Sequence, residues 1–454
     1  MEERREVAPT HRLYELLSLA ALALLASLFI RGNIEFLTLL GTSLFLLSLI
    51  SAMYARLFSY PPAQSIVKQI NIPSAAIENE LLCITIEVEN KSGIHIPSIE
   101  IRIPIPPELK VVKGSTTNRF PLAKGTCYKV ELCVEGRLGS HGIGPLEVVY
   151  RDPLALFISI SKVFDVKYVK IHPRPMPPAM LREVVIARLG GLTKTRRKGF
   201  GTEFFGIREY FPGDEYRHIE WKAYARTSKL YVKLFEHEAS VYIIFLLDAR
   251  TPMFVGPVGR TPFELSSRTI LSVAMHSAKR GDNLMLIYLS DEIHGGTPFV
   301  RGDYAVTAFS NTLASIEWPS PKLIEIGRYI SPRSLGWLLR YILPQRMPRE
   351  KTMVFLFTSL FDEDEAEEVA FTLRRFIESG HEVHLVAPLV ELFEIRELSR
   401  VNDMLYLLRS KDLIKTRLRS LNLLKAVGIP TIVVHPKNLV YEIVKHIELA
   451  RLRM

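Results

Sequence analysis

The sequence predicts a multidomain chain: a transmembrane helical hairpin, an all-β sandwich and an α/β domain. Two long apolar runs within the first 57 residues predict the hairpin. Apolar–polar alternation from Tyr60 to about Lys170 predicts the sandwich. From Val241 onward, buried-strand runs alternating with helical ones predict the α/β domain. At 454 residues the chain exceeds one ordinary core, so two or three domains are expected. The boundaries read 1–59 for the hairpin, 60–175 for the sandwich, 176–240 for a linker with a charged segment, and 241–454 for the α/β domain.

Leu16–Ile30 is uncharged, and Leu13 and Tyr14 lengthen it when Glu15 lies among headgroups. Arg31, Gly32 and Asn33 break the run; Ile34–Leu57 follows, with Glu35 near its start and Arg56 near its end. About 20 helical residues cross a bilayer's hydrocarbon, so both runs are long enough. A cleavable leader is disfavoured, because the Ala21–Ala23 triplet lies inside the first run and the second follows at once. The short turn puts the amino terminus and everything after residue 57 on one side. Arg4, Arg5, Arg12, Arg56 and Lys68 flank that side against Arg31 alone in the turn, which predicts a cytoplasmic location for the soluble bulk.

Leu82–Glu89 alternates as a half-buried strand does, and Ile96–Ile103, Cys127–Val134 and Leu146–Tyr150 read similarly. Short strands punctuated by Gly, Pro, Asn and Ser suggest an antiparallel sandwich of immunoglobulin-like build. The three cysteines, Cys83, Cys127 and Cys133, show neither a CxxC pair nor metal-ligand spacing. They read as small buried hydrophobes in a reducing compartment rather than a disulfide framework.

The formal charge of +10 is clustered. Lys194, Arg196, Arg197 and Lys198 form one basic knot; Arg409, Lys411, Lys415, Arg417 and Arg419 form another. Such knots suit anionic headgroups or nucleic-acid phosphate. A solvated face, offset by acidic runs such as Asp362–Glu365, is the preferred reading, because aromatics are not interleaved as stacking platforms. No specific nucleic-acid partner is expected.

The α/β strands read Tyr242–Asp248, Leu284–Leu289, Met353–Thr358, Val383–Ala387 and Thr431–Val434, with helices at about 261–280, 303–316, 363–379, 405–426 and 438–450. This order implies a mostly parallel sheet covered on both faces, whose ligands would lie beyond the strands' carboxyl ends, near Asp248 and Thr358-Ser359. No GxxxxGK[ST], GxGxxG or GxSxG motif occurs, and His381-Glu382-Val383-His384 is not HExxH. No catalytic residues are expected, and the chain reads as a non-enzyme.

The charged segment mixes Arg208, Glu209, Asp214, Arg217, Lys222 and Arg226 with Tyr210, Trp221 and Tyr224, around the turn Pro212-Gly213-Asp214. Arg and Trp dominate the energy of protein interfaces, so Arg208, Glu209, Tyr210, Gly213, Asp214, Arg217, Trp221, Lys222 and Arg226 are the candidate partner-binding set. The competing reading makes Asp214, Arg217 and Arg226 an ion-pair clamp between the sandwich and the α/β domain.

Gly144-Pro145 and Arg151-Asp152-Pro153-Leu154-Ala155-Leu156-Phe157 precede this segment. Within Gly201–Asp248 follow REY, PGD, R-x-I-x-W-K, ART and KL-x-V-K. Their order and spacing resemble the domain of unknown function 58 family from about Ser140 through the α/β domain. The resemblance implies a von Willebrand factor A-like (Rossmann-like) α/β domain, accords with a two-span anchor, and implies association with MoxR-type AAA+ ATPases and their client proteins. Ala155 stands where relatives usually carry Gly, a departure expected to alter only local loop shape.

In von Willebrand A-type domains the first strand ends in D-x-S-x-S and holds a divalent cation. Here the same place reads Asp248-Ala249-Arg250-Thr251-Pro252. Asp248, Thr251, Ser359 and Asp362 are therefore a degenerate ligand set. A hard cation such as Mg²⁺ needs several oxygens, and Arg250 adds a repelling charge, so no cofactor is expected. Asp248 is expected to pair with Arg250 or to cap a helix. The leading function is a membrane-anchored, non-enzymatic adaptor that docks a MoxR-type ATPase or its clients. The alternative is an extracytoplasmic adhesion or envelope-binding protein with a metal-dependent A-type domain.

Overall fold

The computed structural model describes residues 6–29, 34–57, 66–91, 95–152, 154–176, 198–199, 203–236, 240–256, 259–291, 294–319, 334–359, 363–388 and 401–453. The chain divides into two compact units, Met1–His172 and Pro173–Met454.

Two apolar helices, α1 (His11–Phe29) and α2 (Ile34–Leu57), pack against each other in the first unit. Small residues make the contact: Ala20, Ala23, Ser27, Ser48 and Ser51 are buried. A Cβ added at Gly41 would lie 2.6 Å from Leu24 Cγ, so the helices approach as closely as glycine allows. Ser27 and Ser48 donate to the carbonyls of Leu24 and Phe45, each at 2.6 Å, so their hydroxyls are satisfied within their own helices. The large side chains face outward, with Leu28 76% and Phe29 83% exposed.

Strands β1 (Glu6–Pro9), β2 (Val67–Asn71), β3 (Ala75–Ile77), β4 (Leu81–Glu89), β5 (Ile96–Arg102) and β6 (Leu109–Lys113) come first. They are joined by β7 (Thr117–Leu122), β8 (Cys127–Gly136), β9 (Gly139–Ile143), β10 (Leu146–Arg151), β11 (Phe157–Phe164) and β12 (Lys167–His172). They form sheets ordered β1-β11-β10-β5-β7, β2-β4-β8-β6 and β3-β12-β9. Pairing is antiparallel apart from the parallel β3–β12 pair. Alternate residues of β4 (Leu82, Ile84, Ile86, Val88) share one core with Ile99 and Ile101 of β5 and Val148 and Tyr150 of β10. On the opposite side of β5, buried Glu100 accepts hydrogen bonds from Arg102, Arg119 and Arg151. Burial alone would raise its pKa; the three guanidiniums overcome that and hold it at about 2.

Two features of this unit depart from the sequence reading, and a third describes the Ala155 loop. Residues 6–9, assigned to the hairpin, are a strand on the edge of β11, with Glu6 opposite Ile160 and Pro9 opposite Phe157. Cys83 and Cys133 are not separate small hydrophobes. The β4–β8 register sets them opposite each other, Cα atoms 4.0 Å apart, and they form a disulfide, while Cys127 is free and exposed. Fifty residues separate the pair, so only the strand register brings it together. Finally, Ala155 has φ 55°, the left-handed region that glycine enters without penalty. Its place in the loop is set by the turn bond from Ala155 N–H to the Asp152 carbonyl, 2.9 Å.

The second unit has a small antiparallel sheet of β13 (Lys198–Gly199), β15 (Tyr231–Glu236) and β14 (Glu203–Glu209), in that order. Next to it in the chain is a short helix, α3 (Trp221–Thr227). Its main sheet contains β16 (Tyr242–Asp248), β17 (Asn283–Leu289), β18 (His294–Gly296), β19 (Thr352–Phe357), β20 (Glu382–Val386) and β21 (Thr431–Ile432). The order is β18-β17-β16-β19-β20-β21, parallel except for the edge strand β18. Helices α4 (Pro262–Lys279), α5 (Gly302–Ala314), α6 (Leu335–Arg346), α7 (Glu363–Glu378), α8 (Val401–Ala426) and α9 (Pro436–Arg453) alternate with these strands. Ile244, Leu246, Val354, Leu356 and Leu385 pack with Leu339 of α6, Val369 and Leu373 of α7 and Leu424 of α8. The intervening residues face the other way: the Phe245 ring meets Phe309 of α5 at 5.9 Å. Glu264 and Thr261 form a reciprocal capping box that starts α4. Helix α6 was not predicted, since Gly336 and Pro344 interrupt its pattern; Ser334 caps it by accepting from Trp337 N–H at 3.1 Å.

Two stability effects follow. Ala155→Gly is expected to stabilise the chain by about 0.5–1 kcal/mol, the relief of the left-handed strain less glycine's greater unfolded freedom; an unchanged thermal midpoint would count against the strain. His384, buried on β20, stacks on Phe355 at 5.2 Å and lies 4.6 Å from His446. Burial first, and His446 second, push its pKa from 6.5 down to about 4, so the folded chain keeps the ring neutral. Below pH 6.5 the unfolded chain binds the proton and the folded chain does not, so stability is present above that pH and lost down to about 4. The loss reaches roughly 3 kcal/mol. His384→Phe should flatten this acid limb in unfolding measured between pH 7 and pH 4; a parallel loss in parent and variant would rule the ring out.

Candidate functional site

The charged segment folds into a lobe on the β14–β15 hairpin. Register places Arg208 opposite Val232 and Glu209 opposite Tyr231, which brings the chain back for the turn at 211–214. Gly213 (φ 108°) makes the turn and Asp214 closes it, accepting from Phe211 N–H at 2.9 Å. Arg208 grips the same carboxylate with both terminal nitrogens, at 2.8 and 2.5 Å, and lies over the Phe211 ring. Those bonds from Arg208 hold the Asp214 pKa below the usual carboxylate range.

Helix α3 starts where Glu220 accepts from Lys222 N–H, and Glu220 is fixed from across the hairpin by Lys233 at 3.0 Å. It ends at Ser228, left-handed at φ 54°, whose N–H bonds the Tyr224 carbonyl at 2.8 Å. None of the residues of α3 is buried. Trp221 is 61% exposed and meets Tyr224 edge-on at 6.4 Å. Phe211 and Tyr216 are also exposed, and Tyr216 stacks with Tyr210.

The structure therefore brings Arg208, Tyr210, Gly213 and Asp214 together as the frame of the lobe, and leaves Trp221, Lys222 and Arg226 on its surface. Glu209 pairs loosely with Lys229 at 3.5 Å, and Arg217 pairs with Glu215. The proposed inter-domain clamp is corrected on this point: Asp214 and Arg217 find their partners inside the lobe, and Arg226 has no charged partner among the described residues. Lys194, Arg196 and Arg197 of the first basic knot lie outside the described residues, as do the side chains of Lys198, Arg409 and Lys411. In the second knot Lys415 and Arg419 are exposed, while Arg417 is buried and belongs to no solvated face.

At the carboxyl end of β16, Asp248 is wholly buried and every bond it makes fills a carboxylate oxygen. Its Oδ1 accepts from Arg250 N–H at 3.1 Å and Arg250 Nε at 2.9 Å; its Oδ2 accepts from Arg250 Nη2 at 2.9 Å and Thr358 Oγ1 at 2.7 Å. Arg250 is 2% exposed and also donates to Glu365 of α7 at 2.5 Å. Glu365 in turn accepts from Leu335 N–H at the start of α6, 2.9 Å away. Burial works against the charge on Arg250; Asp248 first and Glu365 second outweigh it and raise the pKa further. Thr251 is held by Asp291, through its N–H at 3.0 Å and its hydroxyl at 2.8 Å. Ser359 is buried beside Thr358, and Asp362 lies outside the described residues.

These residues do not fit a divalent cation. The guanidinium already supplies the positive charge between Asp248 and Glu365, with fixed hydrogen bonds a spherical ion would have to displace. The sequence pointed to Asp248 and Arg250, and to the Asp362–Glu365 run as a candidate source of a carboxylate at this place; Glu365 comes there to bind Arg250 rather than a metal, and Asp291 was missed.

Residues 206–388, which span the lobe beyond its first strand and most of the main sheet, match the family model described as Protein of unknown function DUF58. The match covers less than half of the chain, and over those residues the chain is similar to that family. No curated protein sequence matches. Among solved structures, the SpRpn10 VWA domain aligns with 46% of this chain and 95% of that one, at 12% identity and a TM-score of 0.25. A cycloisomaltooligosaccharide glucanotransferase from Paenibacillus sp. aligns with 71% of this chain and 45% of its own, at 10% identity and a TM-score of 0.15. Both superpositions are too loose to assign a fold.

Titrating Mg²⁺ or Mn²⁺ into the full chain is expected to leave its thermal midpoint unmoved; a shift that vanishes in Asp248→Ala would reverse the assignment. Arg250→Ala should cost about 3–5 kcal/mol, because it leaves Asp248 buried without a counter-charge.

Proposed function

We propose that the chain is a membrane-anchored, non-enzymatic adaptor whose DUF58-like region docks a MoxR-type AAA+ ATPase or that ATPase's clients. One observation carries the reading: the lobe is framed by Arg208–Asp214 and Glu220–Lys233, yet presents to solvent Trp221, Tyr224 and Arg226, which has no charged partner among the described residues. Exposed Trp, Tyr and Arg on a stiff frame are the residues that carry binding energy at interfaces. The ATPase is the partner that the family resemblance implies. The anchor is read from α1 and α2, whose apolar side chains need a hydrocarbon surrounding. The flanking arginines favour a cytoplasmic location for both units.

A second orientation is favoured by one observation, the Cys83–Cys133 disulfide, a bond most at home in oxidising compartments. In that reading the units face outward and bind an envelope component.

The full chain, purified in detergent with nucleotide present, is expected to retain a MoxR-type ATPase. Trp221→Ala or Arg226→Ala should weaken retention about tenfold or more. Retention by neither the parent nor any variant would sink the adaptor reading. An impermeant reagent added to whole cells should leave a carboxyl-terminal tag unlabelled; labelling would transfer the weight to the outward orientation.

A further inference from the structure

Away from the lobe, α6 and α7 enclose a cleft of about 180 Å³ lined by Arg340, Pro344, Phe371, Thr372, Arg375 and Phe376. Among its lining residues Phe371 is 63% exposed, and elsewhere on α6 the exposed Trp337 and Tyr341 rings stack at 5.7 Å. The Thr372 hydroxyl is satisfied within its own helix, donating to the Glu368 carbonyl at 3.0 Å. Arg340 and Arg375 are exposed and make no hydrogen bond or ion pair among the described residues. Their neighbour Arg374 is paired with Glu378, and no carboxylate is among the residues that line the cleft.

We propose that this cleft is a second docking site, which takes an acidic segment of a partner protein through one large apolar side chain. Size decides against a small-molecule ligand: such pockets run to about 300–1,000 Å³, whereas this one holds a single aromatic or branched aliphatic side chain. Charge decides the flanks. Two guanidiniums with no internal counter-ion present forks that match carboxylates in a bidentate manner. Apolar floor, an exposed aromatic and arginine flanks are the composition of an interface hot spot. The site stands independently of the lobe, so one surface holds the ATPase and the other holds a client segment.

The test uses the full chain in phosphatidylcholine nanodiscs, screened against a displayed library of random 12-residue peptides. Enriched peptides should carry Asp or Glu next to Phe, Leu or Trp. The double variant R340E/R375E, and separately Phe371→Ser, should weaken them at least about tenfold. Trp221→Ala should leave them unchanged while it loses the ATPase, so the two surfaces fail separately. All three positions are exposed, so unchanged circular dichroism is expected for each variant. The proposal is overturned by enriched peptides without carboxylates, by undiminished binding to the double variant, or by no enrichment over empty nanodiscs. It is also overturned if Trp337 fluorescence shifts with added phosphatidylserine and the double variant abolishes that shift, which would give the face to the bilayer.

Discussion

A buried carboxylate, Asp152, anchors the loop through which the β-rich unit is fastened to the two apolar helices. Its Oδ2 accepts from Ser51 of α2 at 2.6 Å, and its Oδ1 accepts from Phe157 N–H at 2.7 Å, where β11 begins. From the other helix, Thr10 reaches the same loop, with its hydroxyl 2.7 Å from the Ala155 carbonyl and its N–H 2.8 Å from that of Leu156. Strand β1 extends the contact by pairing along β11. Ser51 stands near the end of the apolar stretch of α2 and Thr10 immediately before α1. The loop therefore meets both helices at one level. Buried carboxylates are tolerated only when fully hydrogen-bonded, and here the requirement joins soluble strands to helices that water cannot solvate favourably.

The α/β unit repeats the same device with a different partner. Asp248 stands at a strand end, wholly buried, with both oxygens filled, and what fills them is chiefly the side chain two residues on. Because Arg250 also binds Glu365, and Glu365 binds the first N–H of α6, one guanidinium ties β16, α6 and α7 together. A cation supplied by the chain itself is always present and cannot be chelated away. The geometry of the strand ends, and of the α6–α7 pair beyond them, is thereby independent of metal supply. That constancy suits a scaffold, whose surfaces must be correct before any partner arrives.

Much of this was legible in the sequence, and the reasons differ by region. Alternation in Leu82–Glu89 admits one local structure, so its strand was identified from period, whereas the solid apolar run Tyr242–Leu247 was identified by its shortness and its place in the strand–helix alternation. Helix α7 showed its acidic first turn and periodic apolar face. What escaped was of two kinds. Helix α6 was hidden by Gly336 and Pro344, residues that propensity reads as breakers but that a capped, well-buried helix accommodates. The pairs Ser51–Asp152, Cys83–Cys133 and Arg250–Glu365 were hidden by distance, since nothing in a linear string states register or loop closure. Arg250 beside Asp248 was foreseeable because they are two residues apart; the acidic run that holds Glu365 was foreseen as a carboxylate source, but not that it would bind Arg250.

The opposing signs on orientation reduce to one choice, because strand β1 preceding α1 pairs with β11, and Thr10, between β1 and α1, bonds the loop before β11. Whatever side the amino terminus takes, the β-rich unit takes as well. The arginine asymmetry acts during insertion, when the charges near the helix ends select a side, and it favours the cytoplasm. The disulfide, by contrast, is a bond most at home in oxidising compartments. Cys83 and Cys133 lie within a β4–β8 ladder in which Leu82, Ile84 and Ile86 face Val134, Leu132 and Val130, and that apolar register sets the two sulfurs side by side. The charge pattern bears on the insertion event and the disulfide on the compartment the folded strands meet, so the two favour opposite sides of the same hairpin.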